Sequence, residues 1–128
     1  MYIVHLTTEL APLAKVGGLG DVIAGLSKAL TEEGERVEVI LPFYDHINRK
    51  LLKNLKVDFE SLFSYEDLGE VKNTIWSAEF DGMSLILIEP HSDAGYFERG
   101  VIYGEDDDLF RFTYFTKTAM EYSLKILF

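Results

Sequence analysis

A glycine-rich turn between an apolar run and an amphipathic segment sets how this chain begins to fold. Residues 2–6 are apolar and short enough for a buried strand, and residues 22–30 have the period of a helix. Gly17, Gly18 and Gly20 lie between them. Glycine leaves no Cβ between the backbone and a ligand, and it permits a positive φ where a tight turn needs one. The sequence therefore predicts a strand, an open turn and a helix.

An anion is the ligand that such a turn favours. The first N–H groups of a helix have no partner within the helix, and the helix dipole is positive at that end. Lys15 adds a cation just before the glycines, and Asp21 falls in the first helical turn. The order of residues is neither G-x-x-x-x-G-K-[ST] nor G-x-G-x-x-G. Two interpretations stay open on spacing alone: a phosphate or diphosphate site, or a plain loop and helix start.

The next residues predict a βαβ unit. The helix has apolar residues on one face, which we expect to pack on a sheet: Val22, Ile23, Leu26, Ala29 and Leu30. We expect Gly25 to allow close packing and Gly34 to end the helix at its C′ position. Residues 37–42 predict a second parallel strand. In open sheets of this kind the ligand lies beyond the carboxyl ends of the strands.

The rest of the chain predicts an added β-hairpin and a final helix. Residues 71–80 and 83–89 flank Asp81-Gly82, which is typical of a type I′ turn. Residues 55–59 predict another strand, and residues 43–54 a weak helix. The final helix has a predicted core face: Leu109, Phe112, Phe115, Ala119, Tyr122 and Ile126. The predicted fold class is α/β, with a Rossmann-like parallel-sheet core and an added β-hairpin.

Composition excludes several functions. The chain has 128 residues and a net charge of −10, which argues against binding nucleic acid or an anionic membrane. It contains no cysteine, so it has no disulfide or thiolate metal site. The three histidines are scattered, and no metal site is predicted. With no room for a signal peptide and no apolar stretch of membrane-spanning length, we expect a cytoplasmic protein.

Two stretches near the start resemble a known family. Residues 8–12 read T-E-L-A-P and residues 15–22 read K-V-G-G-L-G-D-V. This pattern is similar to the K-x-G-G-L motif of bacterial glycogen synthases and plant starch synthases. The resemblance implies that Lys15 contacts a donor nucleotide sugar, that Gly17 and Gly18 lie close to its diphosphate, and that Asp21 lies at the edge of the sugar site. For Glu9, lining the cleft and capping the loop stay open.

A third stretch extends the resemblance along the chain. Residues 96–104 read Y-F-E-R-G-V-I-Y-G and are followed by Arg111 and Phe112. They are similar to the tyrosine, arginine and glycine loop of the same family and to the helix that follows it. Tyr96 and Arg99 are therefore possible cleft residues. An ion pair that organises the loop is an equal alternative for Arg99.

The resemblance also implies what a longer protein would do. Glycogen and starch synthases are GT-B enzymes with two Rossmann-like halves, and they transfer glucose with retention from ADP-glucose, or less often UDP-glucose, to an α-1,4-glucan acceptor. They use no metal or other cofactor.

Residues 1–128 match the first part of the N-terminal half. The H-x-H-D-W motif and the C-terminal GT-B domain do not occur in this sequence. We therefore expect the main catalytic residues outside this chain and no activity from the chain alone. Two alternatives remain: another GT-B glycosyltransferase of the sucrose or trehalose type, and a non-catalytic module that binds a nucleotide sugar or a glucan.

Overall fold

The computed structural model describes the backbone of residues 1–66 and 69–127, and the side chains of residues 1–60 and 70–126. Two helices and five strands occur in the described residues, with a short 3₁₀ turn at Arg49–Leu51. In chain order they are β1 (Tyr2–Leu6), α1 (Gly18–Glu32), β2 (Arg36–Pro42), β3 (Lys53–Glu66), β4 (Gly69–Phe80), β5 (Met83–Pro90) and α2 (Asp108–Leu127).

The described strands form one mixed sheet in the order β1-β2-β5-β4-β3. Strands β1, β2 and β5 are parallel, and Val39 of β2 lies between His5 of β1 and Leu85 of β5. Strands β4 and β3 continue the sheet in antiparallel pairs. The predicted α/β class, with a parallel core and an added hairpin, is confirmed. Strand β3 is longer than the predicted residues 55–59.

Two predicted turns are confirmed by their backbone angles. Asp81 and Gly82 have φ of 48° and 76°, and they join Phe80 to its partner Met83, as the type I′ turn requires. Gly34 has φ of 91° after helix α1, and its N–H donates to the carbonyl of Thr31 at 3.0 Å. A side chain at this left-handed position would be strained, so glycine ends the helix.

The core lies on the central strands and is covered on one side by α2. The apolar residues of β2 and β5 are buried, because each of these two strands has a neighbouring strand on both sides. Helix α2 contributes Phe115, Ala119 and Tyr122 to this core, and Phe112 packs against it. Leu109 and Ile126 belong to the predicted face but are exposed, Leu109 at 77%. The prediction was wrong at both ends of the helix.

Helix α1 packs by a face that only partly overlaps the predicted one: Ile23 packs against the core as predicted, but other residues of that face do not. Val22 is 61% exposed and Leu26 is 45% exposed, whereas Gly20 and Ser27 are the buried residues of the helix. Ser27 Oγ lies 2.8 Å from His5 Nδ1 on β1. Both buried residues are small: Gly20 lies against the turn that precedes the helix, and Ser27 lies against β1. The apolar period does not indicate either contact.

Two further local predictions were wrong. Gly25 is exposed, and no described atom lies within 4 Å of the position that a Cβ would take there. It does not serve close packing. The predicted weak helix over residues 43–54 is reduced to the 3₁₀ turn, which begins where the Asn48 side chain accepts the N–H of Lys50 at 3.1 Å.

Candidate functional site

The segment between β1 and α1 is a compact turn at the carboxyl end of the parallel strands. The Thr7 N–H donates to the carbonyl of Ile40 on β2 at 3.1 Å. Leu10 and Ala14 exchange two backbone hydrogen bonds, of 2.8 and 2.9 Å. Their side chains are buried in the core. These contacts hold the turn against the sheet, so the glycines lie at the carboxyl edge of the sheet.

The glycines of the turn provide space rather than an unusual backbone. Gly17, Gly18 and Gly20 all lack a positive φ, so the turn does not use the backbone freedom that glycine permits. At Gly17 and Gly18 no described atom lies within 4 Å of an added Cβ, whereas at Gly20 it would lie 3.3 Å from the Ala11 amide nitrogen. Gly17 and Gly18 thus keep an approach to the backbone open, and Gly20 permits close packing inside the turn.

Helix α1 begins without a side-chain cap. Gly17 is its N-cap residue, with φ of −151°. The first helical N–H groups belong to Gly18, Leu19 and Gly20, and such groups have no partner within a helix. With the positive end of the helix dipole they form a site suited to an anion. This is the site that the glycine pattern predicts.

Lys15 and Asp21 come together beside the helix start. Lys15 Nζ lies 2.8 Å from an oxygen of the Asp21 carboxylate. Both side chains are about half exposed, so both reach solvent next to Gly17 and Gly18. The structure therefore places the four predicted donor-binding residues in one neighbourhood. Their contact with a donor stays a prediction.

Glu9 caps the turn from inside. The residue is only 3% exposed. One carboxylate oxygen accepts the N–H groups of Val16 and Gly17 at 2.7 and 3.0 Å, and the other accepts the hydroxyl of Tyr103 at 2.7 Å. Burial opposes the charge, but these hydrogen bonds and nearby Lys15 outweigh it and lower the pKa of Glu9. Of the two interpretations for Glu9, the contacts favour loop capping.

The other two candidate residues organise the loop before α2. Tyr96 is buried, its ring lies 5.4 Å from that of Tyr114, and its carbonyl accepts from Arg111 Nη1 at 2.9 Å. Arg99 donates two hydrogen bonds to the carboxylate of Asp107: Nη1 donates to Oδ1, and Nη2 donates to Oδ2 at 2.8 Å. The hydrogen bond to Asp107 raises the pKa of Arg99. For Arg99 the contacts favour the ion-pair alternative, and the burial of Tyr96 favours a packing role.

Sequence reasoning missed the residues that join this loop to the glycine turn. Tyr103 hydroxyl lies 2.6 Å from Thr8 Oγ1 as well as contacting Glu9. The Tyr44 hydroxyl donates to the Thr8 carbonyl at 2.7 Å. The partners lie 36 to 95 residues apart in the chain, so no local pattern links them. The only sequence signal was that Tyr103 stands in the stretch similar to the family's loop.

The carboxyl edge also carries a separate hollow of about 270 Å³. Its charged lining residues are Asp45, Arg49, Glu89 and Glu98. The Arg49 guanidinium lies 4.5 Å from the centre of the Phe43 ring. Within the described residues, no group of three or more histidine and acidic side chains is placed to hold a metal ion. Nor does either described helix have the length and apolar character to cross a membrane.

This combination defines a class: a Rossmann-like α/β unit with an open helix start for an anion at the carboxyl edge of its sheet. A family profile described as the starch synthase catalytic domain matches residues 2–128. The chain belongs to this starch synthase catalytic domain family.

Named relatives agree with the family. Over 125 residues the chain is 42% identical to a glycogen synthase of Protochlamydia amoebophila. It is 45% identical over 125 residues to the probable starch synthase 4 of Arabidopsis thaliana. Each match covers 98% of this chain, but 25% of the first protein and 12% of the second.

A solved structure shows the same fold. It is the catalytic domain of starch synthase IV from Arabidopsis thaliana bound to ADP and acarbose, with a TM-score of 0.92 and 45% sequence identity. The match covers 97% of this chain and 25% of that one. This chain thus spans a quarter or less of these relatives.

Proposed function

We propose that this chain is a segment of a glycogen or starch synthase, a retaining glucosyltransferase that moves glucose from ADP-glucose to the non-reducing end of an α-1,4-glucan. One observation carries the proposal: the uncapped start of α1 lies beside Lys15 and two unobstructed glycines. This arrangement of amides and a cation suits a diphosphate. The relative of known structure binds ADP and acarbose, which supports a nucleotide sugar and a glucan as the ligands.

The proposed chemistry is electrostatic. The diphosphate of ADP-glucose would accept hydrogen bonds from the first amides of α1 and meet the ammonium of Lys15. As glucose leaves, negative charge grows on the diphosphate, and fixed amide dipoles and a cation stabilise it without reorganising. Asp21, which now holds Lys15 at 2.8 Å, would release it to the diphosphate and turn to the sugar.

The chain supplies one wall of the proposed cleft. We propose that residues 1–128 form the first part of an N-terminal Rossmann-like domain and that a C-terminal GT-B domain carries the main catalytic residues. On this proposal the chain has no turnover alone, and it needs no metal or cofactor. The net charge of −10 supports the exclusion of nucleic acid and anionic membranes as partners, and a cytoplasmic location stays a prediction.

A chimera tests the function. This chain replaces the matching quarter of the Protochlamydia glycogen synthase, and incorporation of labelled glucose from ADP-glucose into glycogen is measured. We expect activity, and we expect Lys15→Ala to lower kcat/KM at least tenfold, which corresponds to about 1.4 kcal/mol. Lys28→Ala is the matched control, because Lys28 also faces an aspartate, Asp81, at 4.0 Å, but lies away from the turn.

Each outcome of this test decides something. Unchanged kinetics in Lys15→Ala, with circular dichroism like that of the parent, would overturn the role of Lys15. Binding of ADP by this chain alone, with no glucose transfer by the chimera, would favour the non-catalytic binding module. Transfer to an acceptor other than a glucan would favour another GT-B glycosyltransferase.

A further inference from the structure

Two loops that are far apart in sequence meet at one buried carboxylate. Glu9 belongs to the glycine turn, and Tyr103 belongs to the loop before α2. The Tyr103 hydroxyl donates to one oxygen of Glu9 at 2.7 Å, and the other oxygen accepts the N–H groups of Val16 and Gly17. A continuous path of hydrogen bonds therefore runs from Tyr103 to the backbone that precedes α1.

Donor and acceptor are fixed along this path. Burial, followed by the neighbouring Glu9, raises the pKa of Tyr103 above its ordinary value, so the phenol keeps its proton and donates. Glu9 stays ionised and can only accept. Hydrogen bonds to a charged acceptor are the stronger kind. At neutral pH, Tyr103 is therefore the donor and Glu9 the acceptor in the hydrogen bond that joins the two loops.

The loop that carries Tyr103 is itself firmly held. The Tyr103 ring packs against Phe112 of α2, with 5.7 Å between the ring centres. On either side of Tyr103, the Gly104 amide donates to Asp108 at 2.9 Å and the Ile102 carbonyl accepts from buried Arg111. Tyr103 therefore presents its hydroxyl from a loop that is anchored to α2.

At Gly17, the residue just before α1, the backbone is not held by side-chain packing. Glycine is the residue with the most backbone freedom. No described side chain approaches the Cβ positions of Gly17 and Gly18 within 4 Å. The amide of Gly17 is held by Glu9 at 3.0 Å. Gly17 is the N-cap residue, so this hydrogen bond acts on the peptide plane that leads into the first turn of α1.

We propose that Glu9 and Tyr103 are positioning residues of the donor site. Glu9 turns the amides of Val16 and Gly17 inward, so that those of Gly18, Leu19 and Gly20 stay directed at the ligand, and Tyr103 ties this arrangement to α2. The ligand, the diphosphate of a nucleotide sugar, rests on the proposed function. The positioning itself is a property of the free chain and is tested without any ligand.

Amide hydrogen exchange, followed by NMR on the chain, tests the positioning. We expect Glu9→Ala to speed exchange at Val16 and Gly17 at least tenfold relative to Leu85 and Leu87 of the core. Tyr103→Phe removes one hydroxyl and should speed the same two amides severalfold. Tyr2→Phe is the matched control, since it removes a tyrosine hydroxyl bonded to a glutamate, Glu38, at 2.9 Å elsewhere on the sheet.

The conservative variant separates position from charge. In Glu9→Gln the amide oxygen still accepts from Val16 and Gly17, so we expect most of their protection to return. Unchanged exchange at these amides in Glu9→Ala would overturn the role of Glu9. Unchanged exchange in Tyr103→Phe would overturn the link to α2.

A titration with ADP separates this inference from the proposed function. We expect shifts of the Gly18, Leu19 and Gly20 amides, a Kd at least tenfold weaker in Glu9→Ala, and recovery in Glu9→Gln. A Kd that Glu9→Ala leaves unchanged would overturn the positioning of the donor site. If the parent chain binds no ADP, the proposed function loses support, and the exchange rates still decide whether Glu9 and Tyr103 hold the turn.

Discussion

Lys15 and Asp21 lie across the start of α1 with 2.8 Å between the ammonium nitrogen and a carboxylate oxygen. Both side chains are about half exposed, and an ion pair of that kind contributes about 0–1 kcal/mol to stability. On the proposed function, the pair matters for binding the donor rather than for stability. In the free chain, the Asp21 carboxylate pairs with the Lys15 ammonium, and an incoming phosphate would have to compete with Asp21 for that ammonium.

The first prediction separates this competition from recognition of the sugar. Asp21→Asn frees Lys15, so we expect several-fold tighter binding of inorganic pyrophosphate by calorimetry. If Asp21 also contacts the donor sugar, the same variant should bind ADP-glucose more weakly. The free energy of unfolding should fall by about 0.3–1 kcal/mol, because a charge near the helix N-terminus is lost.

The control for this variant is Asp81→Asn. Asp81 faces Lys28 at 4.0 Å, and asparagine tolerates its positive φ of 48°. It should leave pyrophosphate binding as it is. An unchanged pyrophosphate affinity in Asp21→Asn would show that Asp21 does not compete for Lys15.

The sequence predicted the turns whose backbone angles are set by the residues within the turn itself. The Asp81-Gly82 turn and the Gly34 helix end need positive φ, and this need is visible in residue type. The turn between β1 and α1 was predictable because three glycines lie between an apolar run and an amphipathic segment; an anion at this helix start stays a prediction. The family resemblance then indicated which anion to expect.

The unpredicted features depend on tertiary contacts. The partners Glu9 and Tyr103 are 94 residues apart, and nothing in either neighbourhood indicates the other. The packing face of α1 was predicted only in part: Ile23 packs against the core, but the buried positions of the helix are two small residues, Gly20 and Ser27. Periodicity assigns residues to a face, but it does not indicate whether that face is covered.

The second prediction concerns pH. The folded-state pKa of Glu9 is lowered from its ordinary value of 4.5, so its contribution to stability is complete above that pH and is lost as the pH falls through the lower folded value. We expect Glu9→Gln to reduce the free energy of unfolding by about 1–3 kcal/mol at pH 7. The difference from the parent should shrink steadily below about pH 4.5.

Urea unfolding at several pH values measures this difference. Glu33→Gln, at the exposed end of α1, is the control and should track the parent at every pH. A loss for Glu9→Gln that is equal at pH 7 and pH 3 would mean that Glu9 acts through its shape and not its charge.

The third prediction concerns Arg111, which is fully buried. Its Nε donates to Asp108 at 2.9 Å, and its other nitrogens donate to the carbonyls of Tyr96 and Ile102. Methionine has a similar volume but no donor, so Arg111→Met leaves these acceptors without their partner. We expect the free energy of unfolding to fall by about 3–5 kcal/mol.

Thermal or urea unfolding measures the loss. Arg36→Met is the control, because Arg36 is exposed and contacts the face of Tyr2 at 4.3 Å; it should lose no more than about 1 kcal/mol. A loss for Arg111→Met as small as that of the control would show that Arg111 does not hold the loop before α2.

The fourth prediction compares two glycines of α1. Gly25 is exposed, and no described atom lies within 4 Å of an added Cβ. Gly25→Ala should therefore stabilise the chain by about 0.5–1 kcal/mol, because alanine loses less backbone entropy in a helix. At Gly20 the Cβ would lie 3.3 Å from the Ala11 nitrogen and 3.4 Å from Glu9 Cβ.

Because of these contacts, alanine at residue 20 should lower the stability of the chain instead of raising it. The Ala11 N–H donates to the Gly20 carbonyl at 3.1 Å, so the crowded backbone cannot move away without losing that bond. We expect Gly20→Ala to destabilise the chain and to weaken ADP binding, whereas Gly25→Ala leaves binding unchanged. Urea unfolding and an ADP titration on both variants decide the point. Stabilisation by both alanines would show that the structure accommodates a Cβ at residue 20, and that the turn does not depend on the close contact of Gly20 with Ala11 and Glu9.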